Sequence, residues 1–61
     1  MHYPQEIARL LAKGTEAGHR EDYDRAIQNY EKILAMNPRV KEAHANMGAM
    51  YYCKLHPRPL C

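Results

Sequence analysis

Cys53, His56 and Cys61 fall in a C-x2-H-x4-C spacing near the end of the chain, and thiolate sulfur with imidazole nitrogen is a donor set that zinc accepts. A fourth ligand would have to come from His2, His19 or His44. Zinc spacings normally consist of two close pairs, each held by a turn, whereas the only turn here is the proline-rich tail. The expectation is therefore no metal and no cofactor, with both cysteines present as reduced thiols. Their separation of eight positions along proline-containing chain would also allow a local bridge. His44 has no Ser, Cys or carboxylate placed to form a triad with it. Asp22 and Asp24 read as helix-start residues, and no glycine-rich phosphate loop is present. No catalytic residue is expected, and the chain is not expected to be an enzyme. Tyr51 and Tyr52 remain: the first lies on an apolar stripe and the second points about 100° away, as an exposed binding anchor would.

Residues 1–61 suffice for one small domain of marginal stability. Hydrophobic residues at 46% and charged residues at 26% give a globular balance rather than a disordered one. Nine Lys and Arg are interspersed with seven Asp and Glu, a solvated surface with no nucleic-acid footprint. No apolar run approaches the roughly 20 residues that span a bilayer, and Met1-His2-Tyr3-Pro4 is unlike a secretory leader. These features lead us to expect a cytoplasmic protein that engages neither membrane nor nucleic acid.

Three stretches carry apolar residues at helical spacing, and none alternates with period two. Ile7, Leu10, Leu11, Gly14 and Ala17 form the first stripe, with Pro4 near its start, where a missing N–H costs nothing. Tyr23, Ala26, Ile27, Tyr30, Ile33 and Leu34 form the second. Asp22 is its N-cap, and Asn37-Pro38 ends it, since Asn tolerates the left-handed cap and the residue before proline leaves the helical region. Ala43, His44, Met47, Gly48, Tyr51 and Leu55 form the third, stopped by His56-Pro57-Arg58-Pro59, with no side-chain cap at Arg39 or Val40. The prediction is an all-α chain of three helices, about 5–18, 22–36 and 40–54, in an antiparallel up-down-up array, because short connections force neighbours to run oppositely. Residues 55–61 are expected to be irregular.

The run from Glu21 to Pro38 closely resembles the second helix of a tetratricopeptide repeat, with Ala26, Tyr30, Ile33 and Pro38 on that family's small, aromatic, apolar and proline positions. Leu10, Lys13 and Gly14 fall on the large–Leu–Gly pattern of the preceding helix, where Lys13 departs from it and Ala17 replaces the usual Tyr. Thirty-four residues after Gly14 stands Gly48, and His44, Met47, Gly48 and Tyr51 match the first-helix pattern of a second repeat. The resemblance covers about residues 7–54 and implies an α-solenoid fragment of one and a half repeats, with Gly14, Ala26, Tyr30, Pro38, Gly48 and Tyr51 as structural positions. Mid-helix glycine costs about 1 kcal/mol against alanine, so Gly14 is predicted to let Ala26 pack closely.

The same resemblance implies a protein-interaction scaffold that binds a peptide or helix between first-type helices, on Leu11, Thr15, Glu42, Ala45, Asn46, Ala49 and Tyr52. Leu11 and Thr15 stand where carboxylate-gripping members carry Lys and Asn, so that specificity is not implied. The alternative is self-assembly, because no further helix follows to cover the third. Met47, Met50, Tyr51 and Leu55 would then be left partly bare and would meet in a homodimer. The loss of pattern after Lys54 also fits a fragment of a longer repeat protein.

Overall fold

A computed structural model describes residues 4–56, which form three α-helices: α1 (Gln5–His19), α2 (Tyr23–Met36) and α3 (Lys41–Leu55). The described residues contain no strand, so this is an all-α fold. α1 packs on α2 and α2 on α3, while α1 and α3 barely meet. Each bound lies within one residue of the sequence expectation.

The junctions follow from backbone chemistry. Pro4 precedes the first turn of α1 and its carbonyl accepts from the Ile7 and Ala8 N–H groups. α1 ends with Glu21 at φ 63°. The Glu21 N–H donates to Gly18 O and the Asp22 N–H to Ala17 O, the paired bonds of a Schellman motif. Asp22 at once caps α2: its side chain accepts from the Arg25 N–H at 3.4 Å. Orphan carbonyls at the end of α1 and an orphan donor at the start of α2 are thus satisfied within one three-residue link.

Asn37 departs from the expected left-handed cap. It is extended, at φ −152° and ψ 100°, as a residue before proline must be. Its side chain accepts from the Arg39 N–H at 3.0 Å and shapes the turn instead. Val40 starts α3 with no side-chain cap. His44, expected in the core stripe, is exposed, and its Nε2 lies 2.9 Å from Pro38 O, closing the α2–α3 turn from outside.

Ile7, Ala17, Ala26, Tyr30, Ile33, Val40 and Ala43 form the core, with Leu10, Leu11, Leu34, Met47 and Met50 packed around it. Complete burial of a side chain such as Ile33 contributes about 1.5–3 kcal/mol. Gly14 does allow a close approach, but its tight neighbour is Tyr30 rather than Ala26. A Cβ at Gly14 would stand 2.5 Å from Tyr30 Cε1. The aromatic ring, larger than the Ala26 methyl, reaches across the interface and fills the space above the glycine.

α3 is turned relative to its predicted stripe. Ala43 and Cys53 are buried and Asn46, Met47 and Met50 half-buried, whereas His44, Gly48, Tyr51 and Leu55 are exposed. Apolar residues occur on every side of α3, so periodicity does not single out one face. α2 covers the side with Ala43 at its centre, and no described element covers the opposite one. Gly48 and Tyr51, expected as packed structural positions, therefore face outward, and a Cβ at Gly48 would meet nothing within 4 Å. No helix of the described residues is long and apolar enough to cross a membrane.

Candidate functional site

Two antiparallel steps make α1 and α3 run the same way, and they approach where Gly18 faces Met50, a Cβ at Gly18 standing 2.9 Å from Met50 Sδ. That contact sets their register. At about 1.5 Å per residue, Thr15 lies level with Asn46, and Leu11 with Glu42 one turn further along. Tyr52 sits beyond the Gly18–Met50 contact, toward the end of α3. Leu11 and Asn46 are half-buried, and Thr15, Glu42, Ala45, Ala49 and Tyr52 are exposed.

By helical spacing Glu42, Ala45, Asn46, Ala49 and Tyr52 share one side of α3, and with Leu11 and Thr15 on α1 they outline the candidate trough. The Thr15 hydroxyl is 3.4 Å from the Tyr30 phenol oxygen, so part of its hydrogen-bonding capacity is spent inward. Tyr52 stacks on His56, with ring centroids 4.8 Å apart and planes inclined by 35°. The trough pairs no nucleophile with a base. What it offers is small-residue relief, one amide and one carboxylate along about two helical turns.

The bare strip of α3 is the second surface. His44, Gly48, Tyr51 and Leu55 recur at helical spacing on one side, with Tyr51 44% and Leu55 72% exposed. Of the four residues expected to be partly bare, Tyr51 and Leu55 are exposed and Met47 and Met50 half-buried. The two methionines pack on the core, Met50 beside Gly18 of α1. Lys54 borders the strip and reaches Asp24 at the start of α2, Nζ to Oδ1 being 2.7 Å. That hydrogen bond, and then the carboxylate's charge, raise the Lys54 pKa above its ordinary 10.5, with Tyr51 adding a smaller push in the same direction.

Cys53, expected as a reduced thiol, is buried and disulfide-bonded; Cys61 and the rest of 57–61 lie outside the described residues. A bonded sulfur is no thiolate ligand, which removes the first residue from the zinc spacing. Comparison with protein-family models, curated proteins and solved structures gives no match for this chain.

Proposed function

We propose that the chain is a protein-interaction module of tetratricopeptide type without chemistry of its own, and that the strip His44, Gly48, Tyr51 and Leu55 is where a partner helix packs. One observation carries this reading: a stripe with helix-core composition lies in water. Tyr and Leu at helical spacing around a glycine are what one helix presents to another, and Gly48, open on its outer side, would let a partner backbone come close. A standard interface removes about 800 Å² per partner, roughly a sixth of the molecule's 4765 Å². The α1–α3 trough is then a secondary, weaker surface for an extended peptide, because short exposed side chains bury little area.

A second copy of the chain is the occupant favoured by symmetry. A strip centred on glycine is self-complementary about a two-fold axis, with Tyr51 of each copy crossing the other's Gly48. Sedimentation velocity over a wide concentration range decides between the readings. A dimer that Tyr51→Ala dissociates supports self-assembly. A monomer at the highest concentration, together with loss of partner binding on Tyr51→Ala at unchanged helicity, supports a foreign helix. Tyr52→Ala and Asn46→Ala probe the trough in the same assay: a partner that binds there is lost with them and not with Tyr51→Ala.

A further inference from the structure

A cleft of about 500 Å³ lies between α1 and α2, lined by Lys13, Glu16, Ala17 and Arg20 from the first helix, Asp22 from the link, and Arg25, Gln28, Asn29 and Lys32 from the second. No α3 residue lines it, so it is distinct from both surfaces above. The approach of Gly14 and Thr15 to Tyr30 fixes the antiparallel register. It sets Lys13 across from Lys32 at one end and Arg20 across from Arg25 at the other, about 10 Å away along the helices.

The two ends differ in electrostatic character. At the link end each arginine already has a carboxylate: Arg20 lies 3.7 Å from Glu16 and Arg25 3.3 Å from Asp22. Lys13 and Lys32 pair with no carboxylate among the described residues. Two ammonium groups lining the same end of a cleft attract an anion between them. Between the ends the lining is Glu16 and Ala17 of α1 and Gln28 and Asn29 of α2. Asn29 is only 9% exposed, and its Nδ2 donates to Arg25 O at 3.0 Å. Its side-chain oxygen accepts no bond from a described residue, which leaves an acceptor on a largely buried amide beside the unpaired cations.

We propose that this cleft binds an acidic peptide segment, one side-chain carboxylate held between Lys13 and Lys32 and a backbone N–H of the same segment donated to Asn29. An extended peptide advances about 3.3 Å per residue, so three residues bridge the cleft from the lysine end to the Glu16 and Asp22 end. There, further N–H groups or a basic side chain of the segment meet carboxylates. That alternation selects a peptide over a nucleic-acid strand, whose evenly spaced phosphates would be driven against Glu16 and Asp22.

The test is a fluorescence-anisotropy titration of the intact chain with a labelled hexapeptide that is acidic at one end and carries a Lys three residues further on, and with its counterpart in which Asn and Gln replace the acidic residues. We expect the acidic peptide to bind at least about tenfold more tightly than the amide peptide. The preference should shrink as salt rises from about 0.01 M to about 0.1 M, which shortens the screening length from about 30 Å to about 10 Å. Lys13→Gln with Lys32→Gln should abolish the preference, and Tyr51→Ala should leave it intact, which separates failure of this site from failure of the α3 strip. Both lysines are exposed, so circular dichroism of the double variant should match the parent; each single variant, losing part of the preference, gives the same reading should the double variant lose helicity. Equal binding of the two peptides, or an unchanged preference in the lysine variants, overturns the proposal. A single-stranded oligonucleotide of equal charge that binds more tightly than the acidic peptide overturns the choice of occupant.

Discussion

Glu21 holds the left-handed backbone that lets α1 stop and α2 begin across three residues, a conformation costing a side-chain-bearing residue on the order of 1 kcal/mol. Glycine adopts it freely, at some cost in unfolded-state entropy. Glu21→Gly is therefore expected to stabilise the chain by about 0.5–1 kcal/mol, raising the thermal midpoint by about 4–8 °C per kcal/mol for a domain of this size; a lowered midpoint would show that the Glu21 side chain contributes more than its backbone costs. The three glycines give a graded series. At Gly48 an added methyl enters open space, so Gly48→Ala gains up to about 1 kcal/mol of helix propensity. At Gly18 it meets the Met50 thioether at 2.9 Å, and a flexible side chain yields, so the gain is smaller. At Gly14 it meets the Tyr30 ring at 2.5 and 2.7 Å, and that ring is fully buried with its hydroxyl at Thr15. Overpacking of this kind costs about 1–3 kcal/mol, more than the propensity gain, so Gly14→Ala destabilises. Thermal melts of the three variants should fall in that order, and a Gly14→Ala protein more stable than the parent would show that Tyr30 is free to move.

At the scale of elements, α1 and α2 were legible because each confines its apolar residues to one side and each terminus carries a recognisable device: Pro4 before the first turn, Asp22 as a cap, Asn37-Pro38 as a stop. The three helices and their boundaries followed from this. The facing of α3 did not, because Ala43, Ala45, Met47, Ala49, Met50, Tyr51 and Cys53 surround that helix with apolar groups. Only the packing of α3 against α2 and against Gly18 of α1 decides that Ala43, Met47 and Met50 turn inward. Of the candidate surfaces, the trough is an expectation carried over from the repeat resemblance onto Leu11, Thr15 and the α3 residues. The Lys13–Lys32 cleft could not be read from the sequence, since it depends on which turn of α1 lies across from which turn of α2, information carried by the Tyr30 ring rather than by any motif. The ion pair of Lys54 with Asp24 ties the end of α3 to the start of α2, and it gives the packing of these elements a pH signature. Because the folded-state pKa of Lys54 is raised, its contribution is fully present below pH 10.5 and is lost as pH climbs through the higher folded value. Lys54→Gln should therefore flatten the alkaline limb of a stability–pH profile while leaving its shape between about pH 6 and about pH 9 unchanged; an unaltered alkaline limb would mean that the pair does not form in solution.

At the scale of the whole molecule, the described surface has two unlike regions. One side of α1 and α2 is the charged cleft around Lys13, Arg20, Arg25 and Lys32, and the far side of α3 is the apolar strip around Tyr51 and Leu55. Copies stacked head to tail would press that strip against buried-amide and lysine surface, desolvating charges without a partner, which is costly. Copies joined through their clefts would oppose like charges. Joining strip to strip removes apolar area on both sides and leaves both cationic clefts in water, so growth by self-association should end at a closed pair. A domain this short buries only about 60% of its unfolded surface, and anything that binds the folded form alone adds stability by mass action. Self-pairing then predicts a thermal midpoint that rises with protein concentration, and one that Leu55→Asp makes lower and independent of concentration, because a charge on the strip must be desolvated in the pair but not in the monomer. Sedimentation of the same samples should reach twice the chain mass and no more. Species heavier than a pair would place an open, non-closing contact elsewhere on the surface. A midpoint insensitive to concentration in the parent chain, with a mass that stays at one chain throughout, would reserve the strip for a helix from another protein.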